Sequence, residues 1–200
     1  MNALVVAAAK GRLSCVARLI EAGVNREAKN KQGFTPLMGA AIHGHLGCLD
    51  ALITATVDLD AKSNIDGHPD GNTALMLAAH HDHITCLASL IEAGANREAK
   101  NKQGLTPLMC AAIRGHVGCL DALITAGADL DAEDSRHGYT ALALAARNRH
   151  FTCQMRLLRA GAAMTLKVVW AALTPADAVV AGVAVAIIVS VTRAVRRARP

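Results

Sequence analysis

Apolar residues along this chain fall in short helical stripes separated by regularly placed punctuation. In residues 35 to 55, Leu37, Ala40 and Ala41 recur at the i, i+3, i+4 spacing of one helix face, and Leu46, Leu49, Leu52 and Ile53 stripe a second segment of similar length. Thr35 is an N-cap type, Pro36 suits a first helical position where a missing N–H costs nothing, and Gly44 closes the first segment. Asp58-Leu59-Asp60-Ala61 and a polar stretch follow. The pattern predicts two short helices and a connecting loop, and helices of two to three turns cannot hide a core alone, so neighbouring pairs must stack.

The same pattern returns along the chain. Gly33-Phe34-Thr35-Pro36-Leu37-Met38 recurs as Gly71-Asn72-Thr73-Ala74-Leu75-Met76, as Gly104-Leu105-Thr106-Pro107-Leu108-Met109, and as Gly138-Tyr139-Thr140-Ala141-Leu142-Ala143. The glycines lie 38, 33 and 34 residues apart, and Ile20 to Ala61 matches Ile91 to Ala132 at 35 of 42 positions, as if a two-unit block had been duplicated.

These residues resemble the ankyrin repeat: a Gly-x-Thr-Pro-Leu start, Ala-Ala on the first helix, Gly-His between helices, Leu-Ile ending the second, and Gly-Ala-Asp before the connection. The resemblance is strongest from Gly104 to Ala132 and covers about Asn2 to Ala162. It implies an all-α solenoid of stacked helix pairs with short β-hairpin or loop connections. An array over 1–164 is expected, divided as an N-terminal cap (1–32) and units 33–70, 71–103, 104–137 and 138–164. The family's usual His after Leu is Met38, Met76, Met109 and Ala143 here, which removes a side-chain hydrogen bond near the turn. The second connection is five residues longer than the 33-residue period, through Ser63-Asn64-Ile65-Asp66-Gly67-His68-Pro69-Asp70; a partner-specific finger and a tolerated insertion are both open.

Composition agrees with a packed, helical chain. Apolar residues are 52% and charged ones 18%, against disorder, while aromatics are 2%, leaving Ala, Leu, Ile, Val and Met to fill the core. The net charge of +5 is unevenly placed: residues 1–164 carry 16 Lys and Arg against 15 Asp and Glu, and residues 165–200 carry five against one. The array is therefore nearly balanced, and no nucleic-acid partner is expected. No secretory signal precedes it, so Cys15, Cys48, Cys86, Cys110, Cys119 and Cys153 are expected as free thiols.

Four pairs, His45-x-x-Cys48, His83-x-x-Cys86, His116-x-x-Cys119 and His150-x-x-Cys153, invite a metal- or redox-responsive alternative. Packing explains them better. Each Cys occupies a core-facing slot as a small hydrophobe, repeated at Cys15 in the cap. Neighbouring helices about 8–10 Å apart cannot bring four ligands within about 2.0–2.3 Å of one zinc. Cys110 stands on a first helix, in a slot held by Gly39 and Leu77 in other units, and is expected to be buried. No nucleophile motif, phosphate loop or metalloprotease motif occurs, so neither an enzyme nor a bound cofactor is expected.

The resemblance instead implies a non-catalytic adaptor or scaffold, expected as a monomer, with a concave face of loop tips and first-helix residues that holds a protein partner. Its contact positions fall on Lys31, Gln32, Phe34, Ile42 and His43, then Asp70, Asn72, His80 and His81. They continue through Lys102, Gln103, Leu105, Ile113 and Arg114 to Arg136, His137, Tyr139, Arg147 and Asn148. Basic and His side chains outnumber the acidic one, which fits an acidic or phosphorylated partner. Phe34, Ile42, Leu105, Ile113 and Tyr139 are expected to form an exposed apolar row.

Ala178 to Thr192 is a 15-residue stretch without a charge, followed by Arg193, Arg196, Arg197 and Arg199. It resembles a tail anchor, placing residues 173–195 in an intracellular membrane with the array on the cytoplasmic face. The span is short for a hydrocarbon core of about 30 Å. A competing reading comes from phase: Thr174-Pro175 falls where another unit should begin, so the tail is alternatively a decayed capping repeat.

Overall fold

The computed structural model describes residues 2–64 and 71–164. Its ten helices form five pairs: α1 (Ala3–Ala9) with α2 (Leu13–Glu21), α3 (Pro36–His43) with α4 (Leu46–Thr54), and α5 (Ala74–His80) with α6 (Ile84–Glu92). The remaining pairs are α7 (Pro107–Arg114) with α8 (Val117–Thr125), and α9 (Ala141–Arg147) with α10 (Phe151–Arg159). First helices pack in the sequence α1, α3, α5, α7, α9 and second helices in the sequence α2, α4, α6, α8, α10, giving two layers. The all-α solenoid expected from the repeats is what is seen. Among the described residues there is no strand.

Each first helix begins the same way for the same reason. The hydroxyls of Thr35, Thr73, Thr106 and Thr140 accept hydrogen bonds from the backbone N–H groups of Met38, Met76, Met109 and Ala143 at 3.3–3.4 Å. Asn2 does the same for Leu4 at 3.0 Å. These caps satisfy donors that a helix start leaves unpaired, and all four threonines are buried. The methionines that replace a polar residue beside them are fully buried too; they fill the core between layers, so the missing side-chain bond is replaced by packing. The Ala-Ala pairs at 40–41, 78–79, 111–112 and 145–146 are buried to 4% exposure or less, and with so little side chain between them first helices approach closely.

The two helices of a pair are joined by a sharp left-handed turn. Gly44 and Gly115 hold φ of 70° and 76°, and a Cβ on either would lie 2.4–2.5 Å from a ring atom of the next unit's histidine, His83 or His150. That closeness serves a hydrogen bond. The Nε2 atoms of His45, His83, His116 and His150 bond the backbone carbonyls of Ala9, Ile42, His80 and Ile113 at 2.9–3.2 Å. Each histidine starts a second helix and ties it to the last turn of the preceding unit's first helix, satisfying one of that helix's orphan carbonyls.

The expected hairpins are loops held from their first residue. Asn30 accepts hydrogen bonds on its side chain from Gln32 and Phe34, Asn101 from Gln103 and Leu105, and Asp134 from His137 and Tyr139. Lysines then link loops across units: the Nζ atoms of Lys29, Lys62 and Lys100 donate to the carbonyls of Lys62, Lys100 and Glu133. In the longer second connection, Ser63 and Asn64 are described and 65–70 lie outside the described residues.

Candidate functional site

The candidate surface is built where the loop tips meet the C-terminal ends of the first helices. No first helix contains Asp or Glu, whereas the second helices carry Glu21, Asp50, Glu92 and Asp121. The position eight residues after each cap is Lys10, His43, His81, Arg114 or Asn148. A chain that is almost neutral over 1–164 therefore has one acid-free helical layer, with a basic or titratable residue at four of its five ends.

The structure gathers the sequence-selected residues into three groups. At the N-terminal end, Lys31, Gln32 and His43 line a hollow of about 670 Å³ together with Val5, Val6, Ala9 and Lys10. In the middle, His80 and His81 meet edge-to-face at 5.0 Å, and His81 stacks near His83 at 6.4 Å. Arg114 donates from Nε and Nη2 to His80 Nε2 at 3.1 and 2.7 Å. Beside them a hollow of about 470 Å³ is lined by Phe34, Ile42, Asn72, Gln103 and Leu105 among others. The Nδ2 of Asn101 bonds Asn72 Oδ1 at 2.9 Å, tying the tips of two units. At the C-terminal end, His137 stacks on Tyr139 at 5.2 Å, and the Arg147 guanidinium lies 5.9 Å from the same ring. Lys102, Arg136 and Asn148 are exposed. Asp70 lies outside the described residues.

Two expectations need correction. Phe34, Ile42, Leu105, Ile113 and Tyr139 are half-buried and packed against the core, not an exposed row, because each sits where a tip or helix end folds over its neighbour. They form the floor of the surface rather than free anchors. Cys15 is exposed, unlike the other five cysteines: among the described residues α2 packs on α1 and α4 and leaves this face of the helix open.

The charge of the middle group is held down by its own crowding. The His81 imidazole is pushed below its usual range, first by loss of hydration, then by His83, Arg114, His43 and His116 around it. Asp82 holds φ 61° in the position of Gly44 and Gly115. It stands 3.7 Å from His116 Nδ1 and accepts a hydrogen bond from Cys119 Sγ at 3.7 Å. The Cys, His and Asp here do not make a nucleophile. Burial, then the Asp82 charge and its hydrogen bond, push the Cys119 thiol up to about 12, and burial alone does the same for Cys110. A thiol so placed stays protonated at neutral pH.

Among the described residues no group of three or more His, Cys, Asp or Glu is placed to hold a metal ion. The histidine of each His-x-x-Cys pair is engaged with a backbone carbonyl. Nor is any described helix long and apolar enough to cross a membrane; residues 165–200, which include the expected anchor or cap, lie outside the described residues. Lys10 and Asp82 are absent from the sequence-selected set, and His83 enters it only through its His-x-x-Cys pair. The eight-residue offset from the cap carries Lys10, and the Gly-His register carries the other two.

A family model described as ankyrin repeats in three copies matches residues 1–63, 59–134 and 75–168. A search of curated proteins finds no match.

Proposed function

The chain belongs to the ankyrin repeat family, and from that premise we propose that it is a non-catalytic adaptor whose face of loop tips and acid-free first helices holds an acidic protein partner. Ankyrin repeats generally mediate protein–protein interaction and are typically non-catalytic. The observation that carries the finer reading is the row of basic and titratable side chains at the ends of the first helices, Lys10, His43, His81 and Arg114, set against acids confined to the second helices and loops. Complementary charge of this kind selects partners and speeds encounter more than it adds affinity.

Charge reversal tests it without disturbing the core. The exposed Lys31, Arg114 and Arg147 are replaced together by Glu in the full chain. Crosslinking and mass spectrometry in cells should then lose the main partner of the wild type, while helical content stays the same. Retention of that partner would remove the face from consideration. Attachment of the array to an intracellular membrane through 173–195 is a separate part of the proposal, supported by the uncharged Ala178 to Thr192 run and the four arginines after it. Alkaline carbonate extraction leaves an inserted span in the pellet; protein soluble without detergent would exclude it.

A further inference from the structure

Arg114 offers the parallel edge of its guanidinium, Nε and Nη2, to a single ring nitrogen of His80 at 3.1 and 2.7 Å. Two donors thus share the one lone pair of an imidazole nitrogen, whereas a carboxylate presents one oxygen to each. Arginine keeps its proton throughout the ordinary range, so His80 Nε2 is the acceptor and carries none. Protonating His80 turns that nitrogen into a donor and opens the guanidinium edge.

The surroundings favour an incoming anion. His43 at the end of α3, His81 after α5, His83 at the start of α6, Arg114 on α7 and His116 at the start of α8 all bear on this cluster. Among the described residues the acid nearest the cluster, Asp82, stands 3.7 Å from His116 Nδ1 and accepts from Cys119 Sγ, so it offsets His116 and leaves the Arg114 edge to His80. The adjoining hollow of about 470 Å³, floored by Phe34, Leu77 and Leu105, has room for an apolar side chain next to the anionic one.

We propose that this hollow is a docking site for an acidic peptide segment whose Asp or Glu carboxylate replaces the His80 ring on the Arg114 edge, and that docking is coupled to proton uptake by His80 and His81. It rests on the reading of this face as the partner-binding surface. A monoanionic carboxylate matches Arg114, the permanent cation among the described residues of the cluster. The proton that crowding disfavours at His81 in the free protein becomes favourable when an anion offsets the neighbouring positive charge, and displacement from Arg114 frees His80 Nε2 to take one up, so affinity rises as pH falls. It falls again once the ligand's own carboxylates protonate, near about pH 4.3 for Glu.

The probe is a fluorescein-labelled acetyl-Glu-Glu-Leu-Glu-Glu-amide, titrated with the full chain at low salt between about pH 7.5 and 5.5. Binding should tighten at least about tenfold over that range, as the complex takes up protons that the free protein does not hold. The His80 and His81 ring signals in NMR should titrate at higher pH with peptide than without. His80→Gln should bind with a flattened pH profile, and Arg114→Gln weakly throughout. Peptide that perturbs the groove with the same affinity at both ends of the range, and leaves the ring titrations unmoved, overturns the proton coupling while the face reading stands. Binding undiminished in Arg114→Gln places the peptide elsewhere, on the C-terminal arginines, and overturns the site. A phosphoserine peptide that binds more tightly than the Glu peptide at every pH overturns the carboxylate assignment. The charge-reversal experiment above tests the face reading independently of all three.

Discussion

The duplicated blocks Ile20–Ala61 and Ile91–Ala132 differ at seven positions, and the differences fall in two kinds of place. Val24/Ala95, Leu46/Val117, Thr56/Gly127 and Val57/Ala128 lie on second helices or the turns after them. Phe34/Leu105, Gly39/Cys110 and His43/Arg114 lie on the loop tip and first helix that form the candidate surface. The shared positions include every cap, Ala-Ala pair, Gly-His turn and second-helix leucine. What the two copies keep is therefore the means of stacking, and what they vary includes the groove. His43 projects from the same register as Arg114, but the residue that pairs with Arg114, His80, is Ala9 in the unit before His43.

The largest expected effect tests what the copies share. Gly44→Ala and Gly115→Ala each force a side chain into a left-handed turn and against the next histidine, and should each cost about 2–3 kcal/mol in denaturant unfolding. A neutral result at either one would mean that the histidine tie does not hold the two blocks alike. Next come the first-helix differences. Cys110→Gly opens a buried gap and places a glycine within a helix, a loss of about 1–2 kcal/mol. Gly39→Cys should cost about 1 kcal/mol for the opposite reason, since its Cβ would sit 3.3 Å from the Val5 carbonyl oxygen and 3.4 Å from Ala9 Cβ.

Thr56 is a β-branched residue at φ 57° where the other block has Gly127 at 79°. Thr56→Gly should raise stability by about 1 kcal/mol, read as a thermal midpoint about 2–4 °C higher. The smallest effect is expected at the repeated cysteines: Cys48→Val and Cys119→Val should each change stability by less than about 1 kcal/mol by calorimetry. A large loss specific to Cys119 would give its contact with Asp82 a structural weight that Cys48 lacks.

Much of this was legible in the residues. Period, threonine caps, prolines and turn glycines each act within a few residues of themselves, so helix pairs and their stacking followed from local chemistry. What was not legible depends on the neighbouring unit. Phe34 and Ile113 read as exposed from their positions within one unit, whereas each packs in part against the core shared by all the units. The repeated histidines read as turn residues because the carbonyls they bond lie 36 to 41 positions earlier. Cys15 read as core because its slot is core wherever a unit precedes it. Asp82 in a glycine position gave a signal by breaking the pattern, and its partners, His116 and Cys119, were visible only in space.

The segregation of acids onto the second helices and loops has a consequence at a distance. With 16 positive against 15 negative groups over residues 1–164, this part of the chain exerts little net pull on a charged body, but the first helices hold Arg114 and Arg147 and no acid while every described acid lies on a second helix or in a loop, and so uneven a distribution makes a dipole. A dipole acts as a torque: an acidic partner approaching within roughly a Debye length, about 8 Å at physiological salt, is turned toward the helix ends before any side chain touches. Added salt should therefore slow association while leaving the lifetime of the formed complex nearly unchanged.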